Sequence, residues 1–498
     1  MTSRVDLGVA IVVLGAVSLE LAVSARYGYH RDELYFLAAG QHPALGYVDQ
    51  PPLAPLVAKL SSLVFANSLV GLRVVPALLL GWLVVASSAS AQLLGGGVHA
   101  RRLAAVATAA CGEYLATAHL LTTTVFDFAA WAGVLWSCAH FLDGEQRRWL
   151  IVAGVFAGVG FDAKWNIGFL LGGLVIGFLV TPSARRLVTG RPALVALAVV
   201  VVLAWPDVVW QATHGWPNFS VFHALQRDAG HNRAVYWPAQ IVYTGLAATP
   251  LWVAGLWSLW RRRAPDRRWR SLAVACAVVL VLQFILGGKP YYAGGVFVLL
   301  FAAGAVAVER RWEERRARGL RSIGPRSTMA ALVVSGVLTV PLAIPVLPAR
   351  TLHSIALQKI NYDLAETIAW PREVRDVATV YHSLPEAQRR RTVFLTGNYG
   401  EAGALERYGA QFDIPVGRVF SGANSFWLWG PPPRSATTVV AVNMDPVLLR
   451  RLFSHVRYSF TYHNGLGVSN DEQGIGVMVA TGLRIPWSRS WADIKNYS

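Results

Sequence analysis

The 498-residue chain is 54% hydrophobic and only 15% charged, against about 25% charged residues in a soluble domain. With a mean hydropathy of +0.42, most of its surface is expected to face lipid. The net charge of +17 would suit nucleic acid, but the arginines gather in alternate connectors between apolar stretches. That distribution is a topology signal and excludes a nucleic-acid partner.

Crossing about 30 Å of hydrocarbon takes roughly 20 helical residues. Apolar stretches of that order fall near 7–25, 68–96, 103–122, 125–143, 149–163, 166–182, 193–210, 237–260, 271–287, 291–309 and 328–347, predicting about eleven spans. One set of connectors holds Arg101 and Arg102; Arg147 and Arg148; Arg185, Arg186 and Arg191; six Arg between 261 and 270; and seven between 310 and 326. The other set holds Arg26, Arg31 and Lys59, then Lys164, then Arg227 and Arg233, then Lys289. Short loops rich in Lys and Arg stay cytoplasmic. The expectation is therefore a multi-pass protein of the cytoplasmic (inner) membrane, N-terminus inside, with residues 348–498 outside. Ala22-Val23-Ser24-Ala25 faintly resembles a signal-peptidase site, but the long first apolar stretch reads as an uncleaved anchor.

Two expected domains follow, a transmembrane unit 1–347 and a soluble α/β unit 348–498. Within the first, the external loop 26–67 ends in Pro51-Pro52 and LAPLVAKLSSLVF. Apolar Leu53, Leu56, Val57, Leu60 and Val64 recur at spacings of three and four, predicting an amphipathic helix in the interface. In the second, 392–396, 437–442 and 474–480 read as strands and 401–409 as a helix. The loop 421–433 carries Phe426, Trp427 and Trp429, whose rings suit either core packing or stacking on a sugar. No catalytic constellation is legible in this domain. Cys111, Cys138 and Cys276 all fall in predicted spans without metal-ligand spacing. Absence of an internal repeat weakens a transporter or lipid-flippase reading, which remains the alternative.

Acidic groups inside or beside membrane spans are costly. Asp32, Glu33 and Asp49 in the first loop, Asp127 behind Thr122, Thr123 and Thr124, Asp162 and Lys164, and Lys289, Tyr291 and Tyr292 all land on the predicted outer side. Each also has a structural reading. Asp32 could pair with Arg31, Asp127 could cap a helix, Lys164 could snorkel, and Glu113, deeper in the third span, could be a hydrogen-bonded packing residue. Their shared side points instead to a site at the outer face.

The string YHRDELYFLAAGQHPALGYVDQPPLAPLVAKL, 29–60, resembles the first external loop of the GT-C type, polyprenyl-phosphate-sugar-dependent glycosyltransferases. That group includes the protein O-mannosyltransferases and the lipid A aminoarabinose transferase. Asp32-Glu33, Tyr35, Gly46-Tyr47, Asp49 and Pro51-Pro52-Leu53 follow its pattern in order, and 120–131, 160–171, 213–222 and 288–297 continue it. The resemblance implies a membrane glycosyltransferase that inverts the anomeric carbon. Its donor would be a polyprenyl-phosphate-linked sugar and its acceptor a hydroxyl of a lipid, glycan or protein. Asp32 would be the catalytic carboxylate, and Glu33 and Asp127 would support the carboxylate cluster or position the acceptor. Lys164, Lys289 and Tyr292 would bind the donor phosphate, and Asp49 with Asp32 would hold a divalent metal ion of unspecified identity. The chain departs from the aminoarabinose transferase at Gln50, where that enzyme has Lys, and in the Val125-Phe126 insertion before Asp127.

Overall fold

The computed structural model describes residues 6–188, 190–263, 266–321, 323–354 and 360–497, so the ends of the expected domains, 1–5 and 498, lie outside the described residues. All the predicted apolar stretches are helical over most of their length. The first helices are α1 (Leu7–Val23), α2 (Arg31–Gln41), α3 (Leu53–Val64), α4 (Leu69–Leu93), α5 (Val98–Ala109), α6 (Gly112–Ala118), α7 (Thr123–Gly144), α8 (Arg148–Ala163) and α9 (Ile167–Val180). Among the described residues, six helices are long and apolar enough by themselves to cross a membrane. A seventh span arises if Pro217–Thr244 and Ala248–Trp260, bent by 105°, count together. Others, such as α1 and α9, are apolar but shorter.

The third predicted span is not one helix. It breaks between α5 and α6, where Cys111 turns extended (φ −69°, ψ 118°). Gly112, the first residue of α6, lies so close to the helix Pro325–Ala343 that a Cβ there would sit 2.6 Å from Thr339 Cγ2. The break re-aims the first turn of α6, with Glu113 in it.

The amphipathic α3 forms as predicted. Ala54, Ala58 and Ser61 face the protein, while Leu56, Leu60, Leu63 and Val64 stay exposed. That outward apolar face suits lipid. The helix Arg191–Thr213 does the same on the bundle's flank, with Leu194, Leu197, Val201 and Val202 exposed.

A five-stranded mixed sheet occupies the C-terminal segment: β1 (Thr392–Thr396), β2 (Val419–Ser421), β3 (Thr438–Val442), β4 (Phe453–Thr461) and β5 (Gly476–Leu483), in the order β2-β1-β3-β5-β4. The β2-β1-β3 pairs are parallel and β3-β5-β4 antiparallel. Sequence reading located β1, β3 and β5 and missed the edges β2 and β4. Central β1 and β3 are buried along their whole length, whereas β4 is largely exposed; an edge strand lacks the apolar run that marks a buried one. Within the predicted loop 421–433, Asn424–Leu428 is a short helix. Trp427 and Trp491 exchange indole-to-carbonyl hydrogen bonds of 3.0 and 2.9 Å, so Trp427 packs the domain's core.

The sheet domain meets the bundle through α2, which packs against the helix Tyr399–Tyr408. Gly403 permits that approach: a Cβ on it would stand 2.9 Å from the Leu34 backbone.

Candidate active site

The Asp-Glu pair is set by the start of α2. His30 is its N-cap, with Nδ1 accepting from the Asp32 N–H at 3.2 Å, while Glu33 Oε2 accepts from the His30 N–H at 2.8 Å. This reciprocal cap satisfies two helix N–H groups and fixes the rotation of the first turn. Adjacent residues on a helix do not share a face, so the two carboxylates go to different places.

Glu33 points into protein and is fully buried. Arg73 clamps it through Nε at 2.8 Å and a terminal nitrogen at 2.6 Å, and the Leu121 N–H donates at 3.0 Å. Arg73 also donates to the carbonyls of Ser24 (2.6 Å) and Gly28 (2.8 Å). Expected among the catalytic residues, Glu33 instead ties together the end of α1, α2, α4 and the connector before α7.

Asp32 faces a cavity of about 430 Å³ lined also by His30, Glu113, Thr122, Thr123, Thr124, Lys164 and Tyr291, and by Asn361, Tyr362 and Asp363 from the C-terminal segment. Its side chain is 34% exposed. Tyr399 Oη donates to its Oδ1 at 2.9 Å. Burial pushes the Asp32 carboxyl up, but His30, Arg31, the Tyr399 hydroxyl and Lys289 together outweigh it, so it ionises below its ordinary value. Arg31 stands within 4.0 Å, yet its guanidinium also pairs with Glu366 and Asp471. Asp32 is thus an ionised carboxylate with one oxygen held and an open cavity before it.

Lys164 closes α8 and lines the same cavity, donating to Thr124 Oγ1 at 3.1 Å. Its ammonium lies 4.6 Å from the ring centroid of Tyr292 and 5.1 Å from that of Tyr291. Of these two, Tyr291 lines the cavity and Tyr292 stands behind it. Lys289 sits 6.0 Å from the Tyr291 ring. Asp127 is fully buried outside the cavity lining, with Oδ1 accepting from Trp131 Nε1 and Oδ2 from Asn166 Nδ2, both at 2.8 Å. Asn166 also donates to the Tyr292 carbonyl at 2.9 Å. Asp127 therefore props the wall carrying Lys164 and Tyr292. It neither caps α7 nor reaches the cavity.

Asp49, expected to share a metal with Asp32, lies near enough to feel the Asp32 charge, but its own oxygens are engaged by protein donors. Asp49 Oδ1 accepts from Tyr35 Oη at 2.8 Å and Oδ2 from Asn424 Nδ2 at 3.1 Å. Burial pushes its carboxyl up to about 7 despite those bonds. Among the described residues no three His, Cys, Asp or Glu side chains converge as ligands, and both Asp49 oxygens are already engaged by Tyr35 and Asn424.

Several site residues escaped sequence reading. His30, Tyr399, Tyr362 and Asp363 carried no signal beyond being polar, and Tyr399 lies 367 positions from Asp32. The C-terminal segment, which showed no constellation in sequence, thus supplies part of the cavity wall.

The overall arrangement of helical bundle and C-terminal sheet is shared with solved structures. ArnT from Cupriavidus metallidurans superposes with a TM-score of 0.57 in its apo state, at 17% identity over 95% of this chain and 97% of that one. The same protein bound to undecaprenyl phosphate gives 0.59 and 19% over the same shares. The chain has the GT-C fold. The arabinofuranosyltransferase AftD from Mycobacteria aligns at a TM-score of 0.53 and 14% identity, over 97% of this chain and 40% of that larger one. Residues 49–210 match the family model described as dolichyl-phosphate-mannose-protein mannosyltransferase. The lipid A galacturonosyltransferase RgtD of Rhizobium johnstonii is 26% identical over 270 residues, which is 50% of this chain and 54% of that protein. The chain thus spans about half the length of the curated relative it matches. In this GT-C chain Asp32, Lys164 and Tyr291 line one cavity.

Proposed function

We propose that this GT-C protein transfers a sugar from a polyprenyl-phosphate donor to an acceptor hydroxyl, on a lipid, glycan or protein, with inversion. The observation that carries this reading is that Asp32 and Lys164 line one cavity, walled by the helical bundle and the C-terminal segment. A soluble nucleotide-sugar donor would need a nucleotide-binding domain, and every predicted cytoplasmic connector is too short for one. A lipid-linked donor can enter sideways past the apolar face of α3. No observation favours the transporter or flippase reading.

In the mechanism we infer, the acceptor hydroxyl donates to the free oxygen of Asp32 and loses its proton to it as its oxygen attacks the anomeric carbon. General-base assistance of this kind contributes roughly 10²–10⁴-fold. The bond from that carbon to the phosphate oxygen breaks on the opposite face, and its electron pair leaves with the phosphate. Lys164 stabilises that developing charge, with Lys289 and the tyrosine hydroxyls adding to the field. Glu33 and Asp127 act as positioning residues, and no step uses a metal held by Asp49. We further infer residence in the cytoplasmic membrane, the N-terminus inside and the segment 348–498 outside.

The deciding comparison is mass spectrometry of envelope lipids, glycans and glycoproteins from a deletion strain and from strains complemented with wild type or Asp32→Asn. A glycan should vanish on deletion and return with wild type only. Full restoration by well-folded Asp32→Asn would sink the mechanism.

A further inference from the structure

Glu113 stands out among the buried acids near this site. It is 4% exposed, in the first turn of α6, and neither carboxyl oxygen has a hydrogen-bond partner. Glu33 and Asp127, by contrast, are saturated by protein donors. A buried polar group left unmade is costly, so an unpartnered carboxyl on a cavity wall calls for a ligand. The seat is shaped around it. The break at Cys111 turns the residue inward, and Gly294 leaves it room, since a Cβ there would lie 2.2 Å from Oε1. Thr122 Oγ1, on the same wall, is also buried and unpartnered.

The cavity holds an acceptor-rich, cation-poor set. Among the described lining residues the carboxyls are Asp32, Glu113 and Asp363, while Lys164 is the single Lys or Arg. Sugar hydroxyls are donors in neighbouring pairs, suited to the two oxygens of one carboxyl group. A uronic acid would bring a second negative charge beyond the phosphate, and Lys164 is already committed to the phosphate.

Resting on the glycosyl-transfer reading above, we propose that Glu113, with Thr122, is the sugar-recognition subsite of the donor cavity. It accepts hydrogen bonds from the hydroxyls of a neutral sugar and disfavours uronic acids. The volume of about 430 Å³ falls in the range of small-ligand sites, roughly 300–1,000 Å³.

The test measures binding to the purified full chain, without acceptor, of three probes: bare polyprenyl phosphate, the same lipid phosphate carrying neutral hexoses, and the same lipid phosphate carrying a hexuronic acid. Wild type should bind at least one neutral-hexose donor about tenfold or more tighter than bare polyprenyl phosphate, the gain expected of hydrogen bonds to a carboxyl group. The hexuronate donor should show no such gain. Glu113→Ala should lose the gain and Glu113→Gln most of it, both binding the bare lipid phosphate within twofold of wild type. That bare-lipid affinity also serves as the folding check for each variant. An undiminished hexose gain in both variants, or a wild-type preference for hexuronate, would overturn the subsite while leaving the transfer reading intact. Failure of wild type to bind any of the lipid phosphates would overturn both.

Discussion

Tyr399 Oη donates a 2.9 Å hydrogen bond to Asp32 Oδ1, joining the sheet domain to the carboxylate at the head of α2. The bond occupies one oxygen and leaves the other to the cavity. It also helps hold Asp32 ionised, so wild-type activity should lose its base only below the ordinary carboxylate value of 3.8. Tyr399→Phe removes that stabilisation, raising the Asp32 pKa and moving the acid limb of the kcat/KM profile to higher pH. At neutral pH the lost orientation should lower kcat roughly 10-fold, the scale of one charge-assisted bond, with KM for the donor little changed. A pH–rate profile of purified variant and wild type checks both; an unmoved acid limb with normal kcat would remove Tyr399 from the site.

Asp49 offers a separate test of the metal expectation. Both its oxygens accept protein hydrogen bonds, from Tyr35 and Asn424, so Asp49→Asn should loosen the join between α2 and the sheet domain rather than strip an ion. A moderate fall in rate, unrelieved by excess magnesium or manganese, is expected in transfer assays. Metal-dependent rescue would restore Asp49 as a ligand.

The buried Glu33–Arg73 pair should be structural. Removing one partner strands a desolvated charge, costing about 3–5 kcal/mol. Arg73→Met and Glu33→Gln should each depress the thermal unfolding midpoint and the yield of folded protein in detergent. A stable Glu33→Gln protein devoid of transfer activity would instead return Glu33 to the chemistry.

Topology is tested independently of chemistry. Reporter fusions at Ser498 should be active with an enzyme that works only after export and silent with one that works only in the cytoplasm. The opposite pattern would invert the connector assignment and place Asp32 on the cytoplasmic side.

Residue order alone determined the membrane class, the helical stretches, the amphipathic α3 and three of five strands, because each rests on local apolar length or periodicity. The Asp32 position was likewise legible, since the spacing from Asp32-Glu33 to Pro51-Pro52 runs within one connector. What each polar residue faces was decided only by the tertiary structure. Asp32 and Glu33 are neighbours in sequence, yet helix geometry sends one to the cavity and the other to Arg73, 40 positions away. Asp127 and Asp49 are the same residue type as Asp32, but their partners Trp131, Asn166, Tyr35 and Asn424 saturate them. Glu113 in sequence resembles any acid in a span; the break at Cys111 and the space over Gly294 leave it unpartnered. Hydrogen-bond satisfaction depends on groups brought together from as far as 375 positions apart, and neither composition nor periodicity encodes that proximity.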